Sequence, residues 1–130
     1  DVTIEVFASP HRSEDTDTVG LDIQGARSRV VYVPDADRFD DDLVARIRDA
    51  DVALVDGTFH DADELPGRDL TTIPHPFIVD SVRRLHGARG EVRFTHLNHS
   101  NALLHPDPAR RPRLPAGFAV AADGERHDLA

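Results

Sequence analysis

The sequence predicts an α/β fold. Short valine-rich apolar runs alternate with segments that carry an apolar stripe at helical spacing. Residues 51–56 form a short apolar stretch closed by an acid, the pattern of a strand buried on both faces of an α/β sheet. Strand–helix–strand units of this kind gather functional groups at the carboxyl ends of their strands.

The elements follow in order. Residues 2–7 alternate apolar and polar in part and predict a strand; residues 10–17 are polar and predict a loop. Residues 18–24 alternate cleanly, with Val19, Leu21 and Ile23 on one face. A turn over 25–28 leads into the β-branched strand 29–33, which pairs antiparallel with its predecessor. A helix should begin near Asp40, a favoured N-cap followed by more acids that suit a helix start, and it should bury Leu43, Val44 and Ile47. The strand 51–56 comes next, then a turn at Gly57-Thr58-Phe59 and a polar connection through Thr72. Pro74-His75-Pro76 should open a second helix with Ile78, Val82 and Leu85 on one stripe, closed by Gly87 to Gly90. Residues 91–95 are the next strand, with His96 at its end. A proline- and arginine-rich stretch runs through Pro115, and residues 118–121 and 127–129 suggest a terminal hairpin around Asp123-Gly124.

At 130 residues the chain supports one domain, or half of a larger one, with no second domain and no internal repeat. No apolar run approaches the ~20 residues that cross a bilayer, and the first residues lack the basic and apolar stretches of a secretory signal. The absence of cysteine excludes disulfides, zinc ribbons and thiol catalysis and accords with a reducing cytoplasm. Formal net charge is −9 and every basic residue is arginine. Such a field repels nucleic acid and anionic membrane, so neither is expected as a partner. Asp35, Asp37, Asp40, Asp41 and Asp42 crowd eight positions; a salt-adapted surface and an ordinary solvated helix start both account for them.

Five of the eight histidines, His60, His75, His96, His99 and His105, fall in the central stretch. Imidazole with carboxylate suits a divalent Zn, Fe or Mn ion. No HExxH, P-loop, GxGxxG or GxSxG is present. The strongest constellation is Asp56 after one apolar strand, His75 in the loop before a helix and His96 after the next strand. Two strand ends and a loop could converge on one ion. The competing readings are a turn-forming or capping Asp56 and a hydrogen-bonded loop His96.

From about Thr18 to Leu104 the chain resembles the metallo-β-lactamase superfamily, and within it the pyrroloquinoline quinone biosynthesis protein B family. The matching stretches are Val19-Gly20-Leu21-Asp22-Ile23, Val31-Tyr32-Val33-Pro34, Ala50-Asp51-Val52-Ala53-Leu54-Val55-Asp56-Gly57-Thr58-Phe59, Asp63-Glu64-Leu65 and His96-Leu97-Asn98-His99-Ser100-Asn101. The resemblance implies the C-terminal ββα-type half of an αββα sandwich. It implies that Asp56 is a metal-bridging carboxylate with a catalytic role, that His96 is a late ligand with a catalytic role, and that His75 is a loop histidine facing the metal. It implies that Asn98, His99 and Asn101 lie where ligands or substrate are oriented. There are departures: Pro74 stands where glycine is usual, His60 where an aromatic is usual, and His99 where asparagine is usual. Either histidine could add a ligand or fill space; His60 is read as filling space.

The superfamily's HxHxDH motif is absent from these residues. The expectation is therefore a fragment whose missing N-terminal half, or a homodimer partner, covers a broad apolar sheet face. The implied function is metal-dependent activation of water or dioxygen at a small-molecule substrate, hydrolytic with Zn or Mn and open to oxidation with Fe. The alternative is a non-catalytic module that keeps the fold and oligomerises through its open face.

Overall fold

Parallel strands form the centre of the molecule, and the valine-rich sequences of two of them explain why. A computed structural model describes residues 1–12 and 16–130. Strands β1 (Thr3–Ala8), β2 (Val19–Gln24), β3 (Arg29–Val33), β4 (Val52–Asp56), β5 (Glu91–Thr95) and β6 (Phe118–Val120) lie side by side in chain order in a six-stranded sheet. The pairs β1–β2 and β2–β3 are antiparallel; β3–β4, β4–β5 and β5–β6 are parallel. Part of the polar loop expected over 10–17 lies outside the described residues.

Helices α1 (Asp41–Asp49) and α2 (Ile78–Leu85) make the crossovers between β3, β4 and β5 and pack against each other. A right-handed crossover puts both on the same side of the sheet. That side holds the core: Val31 and Val33, Ala53 and Val55, and Val92 and Phe94 meet Leu43, Ile47, Ile78 and Leu85. Asp40 caps α1 as expected, accepting from the Leu43 N–H at 2.9 Å.

Three expectations are corrected. The apolar run of β4 is not buried on both faces: Ala53 and Val55 are buried, while Val52 and Leu54 on the other face are half-buried. With helices on one side only, alternate residues of a continuous apolar run look outward. Second, 74–76 do not open α2. Phe77 is its N-cap and has no capping side chain. Ile73 and His75 each precede a proline, which disfavours helical dihedrals there. The first N–H groups of α2 donate instead to the carbonyls of Phe59 (3.0 Å, from Ile78) and His60 (3.2 Å, from Val79). Third, no hairpin closes the chain. β6 pairs in parallel with β5, and the C-terminal residues run back to the β2–β3 turn, where Arg27 N–H meets Leu129 O at 3.4 Å. Tertiary contact took precedence over the local Asp-Gly turn signal.

The face away from the helices is apolar, and it is open at β1 and Tyr32 though Val30 is buried. Cross-strand register places Val6, Leu21, Tyr32 and Leu54 in one row and Ile4, Ile23, Val30 and Val52 in the next. Ile4 and Val6 are 57% and 61% exposed and Tyr32 is 38% exposed, far more than a core-facing strand residue shows. Arg93 stands at the margin of this face, tied to Glu91 and to Glu125 of the C-terminal segment. Among the described residues no helix is long and apolar enough to cross a membrane.

Candidate metal centre

Three neighbouring parallel strands, β3, β4 and β5, end together, and each end delivers a metal-competent side chain. β3 is followed by Pro34 and Asp35, β4 ends in Asp56, and β5 is followed by His96. One potential ligand atom from each of Asp35, Asp56 and His96 lies within 4.8 Å of the others. Asp56 and His96 therefore meet at one rim, as their strand-end positions led us to expect. Asp35 was missed. Its signal was present: the strand-end rule that singled out Asp56 and His96 applies to Asp35 once β3 is known to run parallel to β4. Read as the partner of β2 alone, β3 hid that point, and Asp35 was absorbed into an acidic run.

Asp56 is fully buried, and both of its carboxylate oxygens take part in hydrogen bonds. Oδ1 accepts from the Thr58 N–H at 2.9 Å and the Thr58 hydroxyl at 2.8 Å. Oδ2 accepts from the Ala36 N–H at 3.0 Å and faces His75 Nδ1 at 2.8 Å. The hydrogen bond from His75 to Asp56 raises the imidazole pKa above its ordinary value and outweighs burial, which lowers it; the Asp56 and Asp35 charges add to the rise. The bond also fixes the His75 ring, in the way a carboxylate orients a metal-binding histidine. The Thr58 hydroxyl gives its proton to Asp56, so its oxygen is left to accept from His96 Nδ1 at 3.1 Å. That arrangement frees His96 Nε2. The backbone of His96 has φ +59°, the left-handed region that a side chain enters at a cost and that recurs at functional sites.

Asp35 differs from Asp56. Its Oδ1 is buried and has no hydrogen-bond donor among the described residues; His11 Nε2 stands 3.4 Å and His75 Nδ1 3.9 Å from it. A buried carboxylate oxygen without a donor carries a desolvation cost that a cation would remove. Two carboxylates and an imidazole, one oxygen of them unpartnered, are the mixed oxygen and nitrogen set that Zn, Fe or Mn accept.

The remaining candidates hold the rim in place. Asn101 is buried; its amide donates to the carbonyls of Gly57 (2.9 Å) and Thr58 (3.2 Å), and its oxygen accepts from the Leu103 N–H. It staples the β5 loop to the β4 loop. Asn98 donates to Ser100 Oγ at 2.6 Å, and Ser100 donates to Glu64 Oε1 at 2.5 Å. Glu64 in turn accepts from the His60 N–H at 2.6 Å, and the His60 ring lies 2.9 Å from Asp61. His99 is exposed, with no side-chain hydrogen bond among the described residues. Gly57 has a steric reason: a Cβ there would sit 2.7 Å from the Phe94 Cβ.

Comparison with known proteins agrees with this architecture. A family model described as a beta-lactamase superfamily domain matches residues 1–89. The chain is 33% identical to coenzyme PQQ synthesis protein B from Ruegeria pomeroyi, over 82% of this chain and 39% of that protein. It is equally identical to the Azotobacter vinelandii protein of the same name, over 93% of this chain and 44% of the relative. The chain thus spans less than half the length of these curated relatives. The crystal structure of Zn(2+)-bound PqqB from Methylobacterium extorquens superposes with a TM-score of 0.76 at 27% identity, covering 98% of this chain and 50% of that one. YhfI from Bacillus subtilis, a metallo-beta-lactamase fold protein, shares the fold with a TM-score of 0.63 at 19% identity, over 93% of this chain and 46% of that one.

Proposed function

Because the chain belongs to the metallo-β-lactamase superfamily and is similar over most of its length to coenzyme PQQ synthesis protein B, we propose that it supplies part of a metal-dependent active site acting on a small molecule in cofactor biosynthesis in the cytoplasm. Asp35, Asp56 and His96 would hold a divalent Zn, Fe or Mn ion, with His75 oriented toward the site by Asp56. The observation that carries this reading is the unpartnered, buried Oδ1 of Asp35 beside Asp56 and His96 at the ends of three parallel strands. When bound, the ion supplies Lewis acidity toward water or, if it is iron, redox capacity toward dioxygen.

The chain's own residues have separable tasks. Asp56 keeps the proton on His75 Nδ1 and fixes that ring. Thr58 links Asp56 to His96 through one hydroxyl. Asn101, and the Asn98–Ser100–Glu64 chain, hold the loop on which His96 adopts its left-handed backbone. The open apolar face would be covered by the remaining part of the fold.

Metal analysis of the purified full-length protein tests the reading. Wild type should carry a divalent ion, and His96→Ala and Asp35→Asn should each lower its content. Unchanged stoichiometry in both variants defeats the assignment. Zinc without iron counts against oxidative chemistry.

The exposed Ile4, Val6 and Tyr32 favour a second reading, in which the chain is a non-catalytic module that pairs through that face. A stable dimer by light scattering, free of metal, would support it.

A further inference from the structure

We propose that the groove between α2 and the proline- and arginine-rich stretch before β6 binds a small monocarboxylate with an apolar tail.

The groove has a volume of about 200 Å³. Val79 and Val82 of α2 form one wall, and Leu114 and Pro115 form the other. His60 lies at the end where α2 begins, its carbonyl accepting from the Val79 N–H at 3.2 Å. Val82 and Leu114 also pack against the hydrophobic core, so both walls are anchored. Pro112 and Pro115 have locked φ angles, which stiffen the second wall without regular secondary structure. The volume is below the ~300 Å³ at which sites for drug-sized ligands begin, so the groove suits a molecule of a few carbons.

The ionic groups that line it carry one sign of charge. Arg83 and Arg113 border the groove, and no carboxylate among the described residues does, although the formal net charge of the chain is −9. Arg113 meets no carboxylate among the described residues. Arg83 is tied to Asp80 at 2.8 Å, but the two side chains are 77% and 61% exposed, and a pair as exposed as this is weakly held. Asp61, next to His60, is engaged by His60 Nδ1 at 2.9 Å. Two guanidinium groups beside an aliphatic floor attract a carboxylate and give its alkyl chain a surface to cover. A bare phosphate or sulfate would leave Val79 and Val82 uncovered. An alkylammonium would be repelled, and a neutral chain of the same length would forgo the charge-assisted hydrogen bonds.

Hexanoate titration of the full chain, followed residue by residue through the amide NMR signals, tests this. Hexanoate should give saturable shifts at the Val79, Val82 and Leu114 amides. Hexan-1-ol should bind there at least about 10-fold more weakly, and hexylammonium should not bind there. Arg83→Gln combined with Arg113→Gln should weaken hexanoate binding by about 10-fold or more. Both arginines are exposed, so the spectrum of this variant should overlay wild type away from the groove. Arg126→Gln, at an exposed arginine of the C-terminal segment, should leave the affinity unchanged. Hexan-1-ol binding as tightly as hexanoate, or a double variant that matches wild type, would overturn the inference. Equal weakening by Arg126→Gln would assign the effect to net charge and defeat it as well. Shifts absent from the groove, or confined to the rim around Asp35 and His96, would also sink it.

Discussion

Asp35 and Asp56 carry the same functional group a short distance apart, yet the fold gives them different tasks. Asp56 is buried, and its oxygens serve Thr58, Ala36 and His75. Asp35 keeps one oxygen without a donor. The substitution of an amide for each carboxylate should separate the proposed ligand that also anchors the fold from the one that does not. Asp56→Asn puts an NH2 where two donors point and leaves buried N–H groups unsatisfied, so we expect a loss of about 3 kcal/mol in urea unfolding of the metal-free protein. Asp35→Asn breaks no hydrogen bond to its free oxygen and should stay within about 1 kcal/mol of wild type while losing metal affinity. Equal destabilisation of the two variants would contradict this division of labour.

At the scale of elements, an ion-pair network joins α1 to the antiparallel end of the sheet. Asp22 of β2 is 6% exposed and accepts from Arg29 (2.7 and 2.9 Å) and from Arg46 (2.7 Å). Arg46 also reaches Glu5 at 2.7 Å and lies 4.6 Å from the Phe7 ring centre. The hydrogen bond from Arg29 leads the effects that hold the Asp22 carboxyl below its usual 3.8; burial opposes it and Arg46 reinforces it. A carboxylate with a lowered folded pKa contributes stability that is complete above the unfolded value and is lost as pH falls through the folded value. Wild type should therefore lose stability as pH drops below about 3.8, in part through Asp22, and Asp22→Asn should flatten that portion of the curve. At neutral pH the variant should cost about 3 kcal/mol, because two arginines lose a buried partner. Elsewhere in the layer, Phe94 is fully buried between the sheet and the helices; Phe94→Ala should destabilise by about 3–5 kcal/mol in chemical denaturation.

At the scale of the molecule, a single helix layer on a six-stranded sheet leaves the opposite face apolar. The row through Tyr32 and Leu54 is continuous across β1 to β4. A surface of this kind drives association. The 130-residue chain on its own should self-associate in light scattering as its concentration rises, and Tyr32→Glu with Leu54→Glu should shift it toward monomer. A monodisperse monomer at all concentrations would argue that the face is not adhesive.

Much of this was legible from residue order. Valine-rich runs identified β3 and β4, alternation identified β2, and the Asp40 cap identified α1, because each of these signals is local. Asp56 and His96 could be named from their strand ends for the same reason. Other features depended on which segments meet in space. The parallel pairing of β3 with β4 brings Asp35 to the rim; β6 takes the edge beside β5 where a hairpin was expected; the carbonyls of Phe59 and His60 start α2 at Ile78; and His11 comes within reach of Asp35. Residue order sets what each side chain can donate, accept or bury. Which lone pairs are satisfied and which are left facing a cation is settled only when distant segments pack, since a hydrogen bond is decided by tenths of an ångström that no spacing along the chain encodes.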